Sequence, residues 1–287
     1  MQLALLTVVA AAASVVPRHR VAEPLCRLAG LVWYLGAPTA RAAVGDNLRH
    51  VLGRQPNPRR VAAVFQNGVL NYWDIFAIPH MQRDEVLSLM EIRGFEHVEA
   101  ALALGRGVLA ATAHLGSVSL VGQLFPLLGY ETLGLLEPIQ PPELYEFFSR
   151  HRTALGARLL KVGPSALREL ILALRRNAIL GLVTDRDIDG SGPMVPFFDE
   201  PTRFPDGVAS LSLRTGAPIV IAVPIRRADG GFDALFEPLA PVPLTGDRKQ
   251  DVLALTKAVA KRLEYHIASH PEQWTVFQKR WPDAQPR

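Results

Sequence analysis

The spacing of apolar residues changes near position 106, and the change predicts two kinds of structure. Between Val61 and Phe76 apolar residues recur at roughly helical spacing, after an Asn57-Pro58 pair that is typical of a helix start. Farther along, short apolar runs alternate with amphipathic segments. The runs predict buried strands over residues 108–113, 132–136, 159–162 and 178–184. Strands that alternate with helices indicate an α/β fold, with a mainly parallel central sheet flanked by helices.

The rest of the chain also shows helix and strand signals that are consistent with an α/β fold. Ser117 is expected to cap a helix over residues 118–128. Two strands about Asp229-Gly230-Gly231 predict a hairpin, and a long helix is expected over residues 249–268. Because no linker-like stretch interrupts this pattern, we predict a single α/β domain over residues 41–287.

The first 40 residues follow a different pattern. An apolar, alanine-rich stretch over residues 3–16 is too short for a membrane span, which needs about 20 residues. A second apolar stretch over residues 25–35 carries Trp33 and Tyr34, and such residues favour the membrane interface. We therefore predict helices over residues 1–40 that associate with a membrane. The alternative is a hydrophobic cap on the core.

Composition narrows the class of partner. Of 287 residues 49% are apolar and 20% charged, the mean hydropathy is +0.15, and the net charge is +4. A basic surface adheres to anionic lipid or to nucleic acid, and the chain has no nucleic-acid-binding motif. We expect an anionic membrane surface, and no nucleic acid, as a partner. The single cysteine, Cys26, excludes an internal disulfide and is typical of a reducing compartment.

An acidic run imitates a calcium loop but lacks one of its ligands. Asp185, Asp187, Asp189 and Gly190 match the loop's opening, yet Pro196 stands at the twelfth position, where calcium loops place a glutamate. We therefore expect no metal.

His114 is the first candidate for chemistry. It ends a buried strand, and Gly116-Ser117 lead on into a predicted helix. Ligands of open α/β sheets bind at the carboxyl ends of strands, and an imidazole can take a proton from a hydroxyl near neutral pH. Position alone leaves open a merely structural histidine.

Several blocks in the right order resemble a known family. They are Ala-Thr-Ala-His-Leu-Gly at 111–116, Asp-Asn-Leu-Arg-His-Val-Leu at 46–52, Asp-Arg-Asp at 185–187, Val-Pro-Phe-Phe-Asp-Glu-Pro-Thr-Arg at 195–203, and Pro-Glu-Gln-Trp at 271–274 before Arg280-Trp281. Together they resemble the lipid A biosynthesis (lauroyl/myristoyl) acyltransferase family, including its phosphatidylinositol mannoside acyltransferase branch. The resemblance spans residues 40–283 and implies a fold similar to that of the glycerolipid acyltransferases.

The resemblance implies a reaction at the cytoplasmic face of the plasma (inner) membrane. A fatty acyl group would pass directly from acyl-CoA or acyl-carrier protein to a hydroxyl of a membrane glycolipid, without a further cofactor. His114 would be the general base, and backbone donors of the following helix would hold the oxyanion. Glu137 would line the active site. The expected substrate-binding positions are Arg152, Asp185, Asp187, Glu200 and Arg203.

One position departs from the family. Where the family carries Asp or Glu, after four residues that follow the histidine, this chain has Ser119. A serine can orient an imidazole but cannot neutralise an imidazolium, and replacing the analogous Asp of a serine-protease triad by Asn costs about 10⁴ in turnover. Another carboxylate could substitute, with Glu137 the first candidate and Asp185 the second. Otherwise the protein would be a lipid-binding accessory protein without catalysis.

Overall fold

A seven-stranded sheet forms the centre of the computed structural model, which describes residue 7 and residues 10–13, 21–188 and 190–281. The strand order is β1-β9-β8-β2-β5-β3-β4. All neighbours pair in parallel except β8 and β9, which form the predicted hairpin. The sheet strands are β1 (Met90–Arg93), β2 (Val108–Thr112), β3 (Thr132–Leu136), β4 (Arg158–Lys161), β5 (Ile179–Val183), β8 (Ile219–Arg226) and β9 (Phe232–Pro238). A separate antiparallel pair consists of β6 (Met194–Phe197) and β7 (Glu200–Arg203). The predicted α/β fold with a mainly parallel sheet is confirmed.

Eleven α-helices are described around the sheet. They are α1 (Glu23–Gly36), α2 (Pro38–Leu52), α3 (Pro58–Ala77), α4 (Arg83–Ser88), α5 (Phe95–Leu102), α6 (Val118–Val121), α7 (Leu124–Leu127), α8 (Pro142–Arg152), α9 (Pro164–Arg175), α10 (Gly207–Thr215) and α11 (Arg248–Ser269). As predicted, the Asn57 side chain caps α3 by accepting a hydrogen bond from the backbone N–H of Arg59. α2 runs across the predicted boundary at residue 40.

The register between the central strands β2 and β5 brings His114 and Asp185 together. Every residue of β2 is buried, as expected for a continuous apolar run between two parallel neighbours. β2 pairs with β5 so that Thr112 lies opposite Val183. His114 and Asp185 each follow two residues later, so the register brings them to the same carboxyl edge.

The helix expected over residues 118–128 is broken into α6 and α7. Pro126 is the physical reason, because proline has no N–H for the carbonyl four residues earlier and its ring crowds the preceding turn. Ser117 does not cap α6. Its hydroxyl is buried without a hydrogen-bond partner in the described part of the chain.

Two strands were missed because their sequences lack the usual strand signal. β1 lies at the edge of the sheet and is largely exposed, with charged Glu91 and Arg93 in place of an apolar run. β7 contains Pro201, which cannot donate to a strand ladder.

The N-terminal region has one covered face and one open face. α1 packs against α3, where the Trp33 and Tyr34 rings contact Phe65. Its other side exposes a row of apolar side chains: Leu25, Leu28, Leu31, Val32 and Leu35. No helix within the described residues is long and apolar enough to cross a bilayer. The predicted apolar stretch over residues 3–16 lies mostly outside the described residues, so membrane association stays a prediction.

Candidate active site

A hydrogen-bonded His114–Asp185 pair lies at the carboxyl ends of β2 and β5. The distance from His114 Nδ1 to Asp185 Oδ1 is 2.7 Å. The backbone N–H of His114 also donates to Asp185 Oδ2, at 3.0 Å. Two contacts to one carboxylate fix both the backbone and the ring of the histidine, and they leave Nε2 on the opposite edge of the ring.

Asp185 is fully buried and ionised. Burial by itself would raise its pKa, but the charge and hydrogen bond of His114, the indole N–H of Trp274 and the His114 backbone outweigh burial and hold the pKa at about 2. A buried carboxylate with this low pKa stabilises the positive charge that His114 acquires when it takes up a proton. This arrangement matches the role of the aspartate in histidine-based acyl transfer.

The structure corrects the order of the carboxylate candidates. Glu137, the first candidate, pairs with Arg186 at 3.4 Å and not with His114. It follows β3, which is separated from β2 by β5. Two strand spacings of about 4.8 Å each put that position about 10 Å away. Asp185, the second candidate and an expected substrate-binding residue, supplies the carboxylate.

Ser119 lies beside His114 without bonding to it. Both residues line the same two cavities. The backbone carbonyl of Ser119 accepts a hydrogen bond from the Gln123 side chain. In the described part of the chain, no hydrogen bond joins the Ser119 hydroxyl to the His114 ring. The carboxylate that bonds the His114 ring therefore follows another strand, β5.

Two cavities meet at His114. The first has a volume of about 190 Å³ and is mainly apolar, running over the sheet toward Phe125 and Phe236. The second has a volume of about 510 Å³ and is more polar. Six residues line both of them: His114, Val118, Ser119, Leu135, Arg152 and Val183. An apolar chain and a polar headgroup can therefore both reach the same imidazole.

Arg152 places a cation at this junction. Its Nε atom is buried and has no hydrogen-bond partner among the described residues. Burial lowers the pKa of the guanidinium, and the nearby Tyr72 and Glu137 partly oppose that shift. A half-buried arginine without a carboxylate partner in the described chain is suited to an anionic group of a ligand.

Of the other expected substrate-binding residues, Asp187 lines a cavity, whereas Glu200 and Arg203 do not. Asp187 lines the second cavity and accepts a hydrogen bond from the backbone of Gly192. Glu200 accepts from His50, and Arg203 donates to the Gly192 carbonyl. Neither Glu200 nor Arg203 is among the described residues that line the cavities, because the β6–β7 hairpin that carries them packs against α11.

The oxyanion donors expected in the helix after His114 stay a prediction, and one N–H that precedes this helix is already bonded. The N–H of Gly116 donates to the carbonyl of Gln273, so it is not available to an oxyanion. A side chain at position 116 would lie 1.9 Å from the Pro224 carbonyl oxygen, which explains the glycine there.

Some residues that contact the His114–Asp185 pair or line the site were not expected from the sequence. Trp274 donates its indole N–H to Asp185 Oδ2 at 2.7 Å, and Arg280 donates from Nε to the Asp185 carbonyl at 2.6 Å. Gln123 also lines the first cavity, and its amide bonds the carbonyls of Ser119 and Arg152. Only the C-terminal block with Trp274 and Arg280 gave a signal, and a motif by itself does not say what its side chains contact.

A parallel sheet that presents a histidine–aspartate pair beside an apolar cavity and a larger, more polar one is suited to an acyl-transferring enzyme. The sequence model of the bacterial lipid A biosynthesis acyltransferase family matches residues 2–283, and the chain belongs to that family. The chain is an acyltransferase.

Curated relatives agree with this family assignment. The chain is 31% identical over 245 residues to the phosphatidylinositol mannoside acyltransferase of Mycobacterium tuberculosis, a match that covers 82% of this chain and 75% of the relative. It is 28% identical over 241 residues to the enzyme of the same name from Mycolicibacterium smegmatis, covering 82% of this chain and 77% of that relative.

Proposed function

We propose that this acyltransferase moves a fatty acyl group from acyl-CoA or acyl-carrier protein to a hydroxyl of a phosphatidylinositol mannoside-like glycolipid, with His114 as general base. The observation that carries the proposal is the position of His114: Asp185 holds Nδ1, while the ring lines both cavities. The names of the curated relatives favour a mannoside acceptor over a lipid A-like one.

The reaction follows from the two cavities. The acyl chain lies in the apolar cavity, with its thioester carbonyl near the junction, and the acceptor headgroup occupies the polar cavity. His114 Nε2 takes the proton of the acceptor hydroxyl as its oxygen attacks the carbonyl carbon. The tetrahedral intermediate then breaks its carbon–sulfur bond, and the imidazolium returns the proton to the leaving thiolate. Asp185 stabilises the imidazolium throughout.

Arg152 has a binding role in this scheme. It is the cation that lines both cavities within the described chain, and both substrates carry phosphate. We assign it to an anionic group of the donor or the acceptor. Arg186, which lines only the polar cavity, pairs with Glu137 instead.

The alternative, a non-catalytic accessory protein, is not favoured. That hypothesis rested on the serine at position 119, which leaves the family's carboxylate missing. Asp185 provides a carboxylate at 2.7 Å from the ring. No other observation on this chain favours binding without turnover.

We further propose that the enzyme works at the cytoplasmic face of the plasma (inner) membrane, with α1 against the lipid. The exposed apolar row of α1 supports this, and α1 lies close to the polar cavity: a Cβ at Gly68 would meet both Phe277 and Trp33, and Gly68 and Phe277 line that cavity. A glycolipid could enter from the bilayer without crossing water. The net charge of +4 favours an anionic surface.

Flotation with anionic vesicles tests the membrane proposal. Leu28→Glu with Leu35→Glu should lower binding at least tenfold, because burying each leucine is worth about 1.5–3 kcal/mol. Leu244→Glu is the matched control, since Leu244 is similarly exposed but far along the chain in the loop before α11. Equal loss in both proteins would contradict a specific role for α1.

An acceptor panel tests the proposed reaction. Purified protein is incubated with radiolabelled palmitoyl-CoA or palmitoyl-carrier protein and with phosphatidylinositol mannoside, a lipid A precursor or plain phosphatidylinositol. We expect labelled product from the mannoside with at least one donor, at a rate well above thioester hydrolysis. Transfer only to the lipid A precursor would show that the proposed mannoside acceptor is wrong. No transfer to any acceptor would refute the proposed reaction.

A further inference from the structure

The C-terminal segment, residues 271–281, contacts both members of the His114–Asp185 pair. It is not close in sequence to either residue, and Trp274 and Arg280 are buried. Leu115 and Trp274 form an isolated antiparallel bridge. The Gly116 N–H donates to the Gln273 carbonyl at 3.0 Å, and the Thr275 N–H donates to the His114 carbonyl at 2.8 Å. The segment thus holds the backbone that carries the histidine.

The same segment also donates a hydrogen bond to the Asp185 carboxylate. Oδ1 faces the His114 ring, whereas Oδ2 receives two donors, the His114 backbone N–H and the Trp274 indole N–H. Rotation of the carboxylate would break both contacts at Oδ2. The two donors therefore fix the orientation of the carboxylate plane relative to the imidazole.

We propose that Trp274 is a positioning residue for acyl transfer, whose indole N–H fixes the rotation of the Asp185 carboxylate so that Oδ1 holds the Nδ1–H tautomer of His114. This inference rests on the proposed role of His114 as general base. Trp274 lines neither cavity in the described structure and so acts through Asp185, without touching substrate.

The position of Trp274 is itself fixed. The indole packs edge-on against Phe197 and Trp281, with ring centroids 6.1 and 6.3 Å away. Arg280 anchors the end of the segment by donating to the Asp185 carbonyl and to the Thr202 hydroxyl. Burial lowers the pKa of Arg280 to about 10 although Asp185 and Asp187 raise it, so Arg280 stays charged at neutral pH. A rigid segment can hold a donor at a constant distance.

Trp281 offers a matched control. It belongs to the same aromatic cluster and is as deeply buried as Trp274, but its indole nitrogen has no partner among the residues that the structure describes. Trp281→Phe removes an N–H that bonds nothing there, whereas Trp274→Phe removes the donor to Asp185. Both changes keep an aromatic ring in the cluster.

Kinetics provide the first readout. Trp274→Phe should lower kcat about tenfold to a hundredfold, the usual worth of a hydrogen bond to a charged group, and leave KM for both substrates within about twofold. Trp281→Phe should change kcat by less than about threefold. A Trp274→Phe enzyme as fast as Trp281→Phe would overturn the proposal, and so would a rise in KM without loss of kcat.

Nitrogen-15 spectroscopy of the histidine ring provides the second readout, independent of turnover. Wild type and Trp281→Phe should show His114 as the Nδ1–H tautomer, with its signal assigned by loss in His114→Ala. Trp274→Phe should show a mixture of tautomers. If wild type transfers no acyl group, the proposed function fails, yet the tautomer comparison still decides whether Trp274 positions the pair.

A subtler variant covers the case in which Trp274→Phe does not fold. Replacing Trp274 by 3-benzothienylalanine keeps the bicyclic shape and substitutes sulfur for the N–H. The same loss of the Nδ1–H tautomer is expected. An unchanged tautomer in this variant would overturn the proposal.

Discussion

Asp185→Asn is the substitution whose outcome follows most directly from the hydrogen bonds of the site. The carboxylate accepts three donors: the His114 ring, the His114 backbone and the Trp274 indole. An asparagine has one acceptor oxygen and one donor NH₂ group. Its oxygen satisfies two donors at the Oδ2 position, so the NH₂ group must face His114 Nδ1.

That orientation selects the wrong tautomer. With a donor opposite Nδ1, the proton of the neutral imidazole moves to Nε2, which then cannot accept a proton from the acceptor hydroxyl. The analogous change in a serine-protease triad costs about 10⁴ in kcat, equal to about 5 kcal/mol of barrier. We expect a loss of this size here. KM should stay nearly constant, because Asp185 is buried and is not among the residues that line the cavities.

Initial rates of labelled acyl transfer measure both constants. The control is Asp84→Asn, whose side chain is 93% exposed, and it should behave as wild type. Circular dichroism and the thermal midpoint show whether the variant is folded. A folded Asp185→Asn enzyme that keeps more than about a tenth of wild-type kcat would show that Asp185 does not set the tautomer of His114.

Three further outcomes follow from the same geometry. Ser119→Ala should change kcat by less than about threefold, and Ser119→Asp should not raise it, because Asp185 already occupies Nδ1; a large gain on adding the acid, measured by initial rates, would contradict this. Arg152→Met should raise KM for one substrate about tenfold or more, whereas Arg150→Met, on the exposed side of the same helix, should not. Separate titrations of the donor and the acceptor identify which substrate Arg152 binds. Asp185 also makes the free energy of unfolding depend on pH, because its pKa falls from the usual 3.8 to about 2 on folding. The ionised carboxylate adds about 2 kcal/mol to the free energy of unfolding above about pH 4, and this contribution is lost as the pH falls toward 2. Urea unfolding at pH 6 and pH 3 should show a smaller pH effect in Asp185→Asn, and equal effects in both proteins would contradict the assignment.

The layer architecture could be predicted because it depends on local periodicity. Buried runs such as β2 and the amphipathic segments between them carry the strand and helix signals themselves. Missed or misplaced elements have local causes: β1 is an exposed edge strand, and Pro126 interrupts the helix after Ser117.

The partner of His114 could not be predicted for a different reason. Both Glu137 and Asp185 follow strands, and only the strand order tells which strand lies beside β2. β5 is that neighbour although it is later in the chain than β3, so the acid comes from 71 residues away. Local patterns identified the histidine, while its acid and the tryptophan behind that acid depend on long-range packing.

Removal of the imidazole is the decisive test of whether His114 is the general base. His114→Ala is compared with His97→Ala, an exposed histidine outside both cavities, in acyl transfer from palmitoyl-CoA to phosphatidylinositol mannoside. We expect His97→Ala to keep wild-type kcat and His114→Ala to lose at least as much as Asp185→Asn, about 10⁴-fold. A folded His114→Ala protein that transfers the acyl group at the wild-type rate would show that His114 is not the general base.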